Sequence, residues 1–167
     1  MAKFLDFPIE HLSLELDEIQ SMDLFEIVEH KVRQAYEKVK KPVLVEDISL
    51  EFEALGGLPG PFIKFFMSQM TLERICKLLK GDSRKATAKC VLGYFDGTSL
   101  KMFGGSLMGE ISNAPTGDKG FGWDKIFIPS SYETTRALMN ETDYETTYKI
   151  IKPVEKMREY LHSIYFE

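Results

Sequence analysis

The chain is poor in cysteine and histidine, and it has no long apolar run and no basic block. Its two cysteines, Cys76 and Cys90, are too few and too unpatterned for a disulfide framework or a zinc site. Cys76 falls in an apolar helical pattern and Cys90 in a strand-like one, so both read as small core residues. The three histidines, His11, His30 and His162, show no metal spacing, and no Ser/His/Asp or Cys/His arrangement emerges. No apolar stretch approaches the ~18 residues of a membrane span, and no signal-peptide core is present. A soluble, cytoplasmic protein with no membrane partner is the expectation. The formal charge is −5, from 21 Lys+Arg and 26 Asp+Glu, and no basic stripe accompanies it. That speaks against a nucleic-acid partner, which needs clustered Lys and Arg to meet phosphates. A small anionic substrate remains compatible, because one pocket can be locally positive in an acidic protein.

What is present suits one domain, residues 1–167, with 44% apolar and 28% charged residues. Leu12, Leu14 and Leu16 alternate with polar neighbours, which predicts a half-buried strand. Residues 23–39 carry Leu24, Ile27, Val28, Lys31, Ala35 and Val39 at helical spacing. Lys41-Pro42 ends that helix, and Val43-Leu44-Val45 reads as a short buried strand. Glu46 and Asp47 are then expected at its carboxyl end, the edge where α/β sheets bind ligands. Two short helices are predicted over Pro61–Met70 and Leu72–Leu79. Strands at 86–95 and 99–108 flank Asp96-Gly97, a strong hairpin signal. A short strand, Lys125–Ile128, and a last helix from Pro153 complete the pattern.

Several groups could carry chemistry, each with a plainer reading beside it. Hydrated Mg²⁺ favours one or two carboxylates plus substrate phosphates, which Glu46-Asp47 could supply. Asp47 could equally cap a turn. The run Gly56-Gly57-Leu58-Pro59-Gly60-Pro61 could bring backbone N–H groups to a phosphate, or simply turn the chain. Lys64, among Phe62, Ile63, Phe65 and Phe66, either snorkels outward or serves an anion. Phe121 and Trp123 flank Gly122, with Asp124 as an acceptor, which suits base stacking or a packed aromatic corner.

In order along the chain, LELDEIQ, VLVEDISL, LGGLPGPFIKFF and FGWD together resemble the inosine triphosphate pyrophosphatase, or Ham1, family. The resemblance implies an α/β fold: an elongated mixed sheet flanked by helices, in two lobes with a central cleft. It also implies Mg²⁺-dependent hydrolysis of non-canonical purine nucleoside triphosphates to monophosphate and pyrophosphate, by a homodimer. The roles it carries over are metal binding for Glu18 and Asp47, and catalysis for Asp47 with Glu46 assisting. Substrate contacts fall on Lys31, Ile48, Lys64, Phe121, Gly122, Trp123, Asp124 and Lys149. The pattern departs at both ends. Family members open with a strand and a Ser/Thr-x-x-Asn-x-x-Lys turn, whereas Met1-Ala2-Lys3-Phe4 matches the chain after that point. Their lysine and Ser-His-Arg are replaced by Asp143-Tyr144-Glu145-Thr146-Thr147-Tyr148-Lys149-Ile150. Weak turnover is therefore expected, and the alternative is a nucleotide-binding or inactive paralogue.

Overall fold

The computed structural model describes residues 1–166. Among them, β1 (Val43–Phe52), β2 (Pro59–Gly60), β3 (Lys85–Phe95), β4 (Leu100–Ile111) and β5 (Phe127–Pro129) form a five-stranded sheet. The order is β2-β1-β3-β4-β5, and the β1–β2 and β4–β5 pairs are antiparallel. The helices are α1 (Ala2–Leu5), α2 (Leu24–Val39), α3 (Ile63–Gln69), α4 (Leu72–Leu78), α5 (Glu141–Ile151) and α6 (Val154–Tyr165). This is the expected α/β class. The chain divides into two compact units: residues 1–47, 90–105 and 152–167, and residues 48–89 and 106–151.

In the first unit, α2 starts where Asp23 accepts a hydrogen bond from Phe25 N, satisfying one free donor of the first turn. It stops at Lys40, whose left-handed backbone lets its N–H reach Tyr36 O. The helical spacing delivers its apolar face: Leu24, Ile27, Val28, Val32 and Ala35 are buried. Leu24, Ile27 and Val28 pack with Val91, and with Ile19, Val45 and Met102. Each such aliphatic side chain contributes about 1.5–3 kcal/mol on burial. The helix lies so close to β3 that a Cβ at Gly93 would come 2.4 Å from Val28 Cγ1. Gly93→Ala is thus the smallest change that would push α2 off the strand. Cys90 is buried, and desolvation first, then the Glu46 charge, pushes its thiol up to about 12. It is the small core residue its pattern implied. In the second unit, the Arg84 guanidinium donates to Cys76 O, Leu79 O, Ile111 O and Ser112 O. It thereby caps the end of α4 against the end of β4.

Four expectations need correction. Leu12, Leu14 and Leu16 lie in an irregular segment, with Leu12 and Leu14 exposed. Alternation creates a strand only where a neighbour takes up its N–H and C=O groups; here side chains of α2 bind the backbone instead, as described below. β1 continues through Asp47 to Phe52, so Glu46 and Asp47 sit mid-strand, not at its end. Buried Ser49, Leu50 and Phe52 carry it on. The Lys125–Ile128 strand is instead a 3₁₀ turn, Gly122–Lys125, followed by β5. Lastly, α5 had no clear apolar period, and Pro153 caps α6 without being its first helical residue.

Candidate active site

The first unit gathers three of the expected site residues around one ammonium. Lys31, Gln34 and Lys38 recur at helical spacing and form a polar stripe along α2. The irregular segment preceding α2 lies along that stripe. Lys38 Nζ donates to Glu15 O. Gln34 accepts from Asp17 N at 2.7 Å and donates to Asp17 Oδ2 at 3.3 Å. Lys31 Nζ then meets Glu18 Oε1 at 3.3 Å. The same Nζ lies 3.4 Å from Asp47 Oδ2 on β1. The side chains are 14% exposed for Lys31, 19% for Asp47 and 39% for Glu18, so the cluster is open to solvent on the Glu18 side.

Because β1 is a regular strand here, its neighbouring side chains point to opposite faces. Asp47 faces Lys31, whereas both oxygens of Glu46 accept from Lys152 Nζ at 2.9 Å. Glu46 is therefore not brought to the Glu18–Asp47 pair, against its expected assisting role. The alternation of Val43 to Phe52 would have shown this, had the strand been read past Val45. Lys152 escaped the sequence reading, although it directly precedes Pro153. That proline lacks the N–H to continue α5, and the break leaves Lys152 outside either helix.

The second unit holds the FGWD segment. Asp124 is buried, and its carboxylate is fully engaged. Oδ1 pairs with Arg136 Nη1 at 2.9 Å, and Oδ2 accepts from Phe121 N at 2.8 Å and from the Tyr144 hydroxyl at 2.9 Å. Gly120 permits this loop, since a Cβ there would lie 2.5 Å from Asp124 Oδ2 and its φ is +76°. The Arg136 guanidinium also stacks 4.5 Å from the Tyr144 ring and 5.8 Å from the Trp123 ring. Burial, then the Asp124 charge, holds the Tyr144 hydroxyl above its ordinary range, keeping it a donor. Trp123 is buried edge-on against Phe127, so its expected stacking face is occupied by the core. Phe121, 76% exposed, is the ring of this motif that remains accessible. Gly122, at φ +55°, makes the turn between them. Lys64 on α3 and Lys149 on α5 are exposed, and Ile48 on β1 is half-buried. Arg136 was missed because Thr134-Thr135-Arg136-Ala137 has no recognisable spacing to Asp124; only folding brings them together.

Among the described residues, no group of three or more His, Cys, Asp or Glu side chains gathers as a metal cage. The Glu18–Asp47 pair nonetheless fits a hydrated divalent ion completed by substrate oxygens. The Lys31 ammonium, within 3.4 Å of both, is a cation already standing between them.

Residues 1–160 match the Ham1 family. The chain is 46% identical over 123 residues to inosine triphosphate pyrophosphatase 1 of Trypanosoma cruzi, covering 72% of this chain and 63% of that protein. It is 37% identical over 160 residues to the inosine triphosphate pyrophosphatase of Candida albicans, covering 94% and 78%. The fold is similar to that of the Staphylococcus aureus Ham1 protein, with a TM-score of 0.77 at 23% identity over 90% of this chain and 81% of that one. It is also similar to a HAM1 protein from Coxiella burnetii, with a TM-score of 0.72 at 24% identity over 89% and 80%. The matched stretch spans less than two thirds of the length of the Trypanosoma relative.

Proposed function

The chain belongs to the Ham1 family, and on that premise we propose that it hydrolyses non-canonical purine nucleoside triphosphates. Water cleaves the α–β phosphoanhydride of an inosine- or xanthosine-type triphosphate, releasing nucleoside monophosphate, pyrophosphate and a proton. Naming of the Trypanosoma and Candida relatives as inosine triphosphate pyrophosphatases supports this substrate class. The observation that carries the reading is the meeting of Glu18 and Asp47 on Lys31. In it, Glu18 and Asp47 would hold Mg²⁺, which when bound would supply charge neutralisation at the phosphates and a more acidic water.

The chain's own residues do the rest. Lys31 and Lys64 balance negative charge that grows on the phosphate oxygens in the transition state, where a positioned cation is most effective. Phe121 offers a ring to the base, and Gly122 lets the backbone approach it. Asp124 and Trp123 act by holding that turn, since their polar atoms and faces are already used. Ile48 and Lys149 belong to the same proposal as substrate contacts. Among the described residues no helix is long and apolar enough to cross a membrane. Cytoplasmic location, a homodimer and a single functional domain complete the reading.

A pyrophosphate-release assay over inosine, xanthosine, adenosine and guanosine triphosphates, with and without Mg²⁺, tests it. Mg²⁺-dependent release, fastest with the inosine and xanthosine forms, is the expected result. Folded protein that binds nucleotide without releasing pyrophosphate would instead be a binding module.

A further inference from the structure

We propose that Lys31 is a resident counter-ion that couples the binding of a divalent cation to the binding of a polyphosphate anion. The idea rests on the reading of Glu18 and Asp47 as the cation's ligands. With its Nζ 3.3 Å from Glu18 and 3.4 Å from Asp47, Lys31 uses the same two carboxylates that a divalent ion needs. Like charges a few ångströms apart repel strongly at a partly buried site, so ammonium and metal ion exclude each other there. A bare cation must therefore break both of Lys31's ion pairs and leave a largely buried ammonium without its anions.

An incoming polyphosphate removes that obstacle. Its oxygens accept the ammonium, and the flexible four-carbon stem lets Nζ move while α2 stays in place. The neighbouring cations of α2 are engaged elsewhere, Lys38 on Glu15 O and Arg33 on Glu29. Cation and anion thus each favour the other, by the same factor in both directions. Lys31 keeps the carboxylate pair closed to free metal and opens it when the anion arrives. The metal is then taken up with the nucleotide.

The test measures Mn²⁺ affinity by electron paramagnetic resonance on the full chain, without nucleotide and with saturating imidodiphosphate. Lys31→Met should bind Mn²⁺ alone about tenfold tighter than the unaltered chain, a typical coupling factor. The tightening of Mn²⁺ by imidodiphosphate should shrink by a similar factor in that variant. Lys31→Arg should keep the weak binding, and Arg33→Met, which alters a cation of the same helix paired with Glu29 outside the cluster, should change nothing. Circular dichroism establishes that each variant is folded. Unchanged or weaker Mn²⁺ binding in folded Lys31→Met, with binding still lost in Asp47→Asn, would overturn the coupling and spare the metal site. No Asp47-dependent Mn²⁺ binding in any variant would overturn both.

Discussion

Asp47 and Asp124 each meet a cation, but in contrasting surroundings. Asp47 shares Lys31 with Glu18 at 3.3–3.4 Å, and that small group stays partly open to solvent. Asp124 and Arg136 are each 5% exposed, and the carboxylate accepts from three separate donors. The buried Asp124 carboxylate, met by three donors, has no acceptor left for a ligand, and it holds the turn that carries Phe121. A half-buried pair open to solvent can exchange its ammonium partner, which is what the proposed metal binding requires. An aspartate beside a basic side chain thus serves architecture in one place and, in the proposed reading, chemistry in the other. Burial decides which.

That contrast can be broken by substitution. The largest effect is expected on stability from Arg136→Ala, which leaves Asp124 buried without its counter-charge. Removing one partner of such a pair costs about 3–5 kcal/mol. Urea unfolding measures it, and a loss below about 1 kcal/mol, typical of exposed pairs, would mean the cluster is solvated and the contrast unfounded. Asp47→Asn should do the opposite, lowering kcat/KM by on the order of 10²–10³ while the urea midpoint holds. Near wild-type turnover in that folded variant would remove Asp47 from the metal site. Phe121→Ala should weaken nucleotide binding by about 1–3 kcal/mol, similarly for every base, because stacking is tolerant of base identity. A loss confined to inosine triphosphate would instead assign Phe121 a role in discrimination. The smallest change is expected from Lys152→Met, because its pair with Glu46 is 21% and 34% exposed. Such pairs contribute up to about 1 kcal/mol, so activity and midpoint should both stay near their starting values.

Local pattern was informative wherever one element sufficed. The α2 stripe, the Asp96-Gly97 hairpin and the two short helices after Pro61 follow from spacing and turn residues within a few positions. Lys31 and Asp47 meet because a helix and a strand, both legible, place them, whereas Glu18 joins them from an irregular segment. What was hidden depends on long-range partners. The Leu12–Leu16 alternation mimics a strand, but whether a ladder forms is decided by what lies alongside. Arg136 reaches Asp124 across twelve positions with no motif between them. Lys152 meets Glu46 across 106 positions, and only the break at Pro153 hinted that something happens there.

The segment from Glu15 to Glu18 leans on α2 through the side chains of Lys31, Gln34 and Lys38, where a strand ladder had been expected. Contacts of that kind give way individually, whereas a ladder gives way as a unit. Local opening of this segment therefore needs far less free energy than unfolding of the sheet. One of the two carboxylates proposed for the metal rides on it. On warming, amide protons of this segment should exchange with solvent before those of β1, and loss of the Glu18 ligand should silence the protein while most of it is still folded.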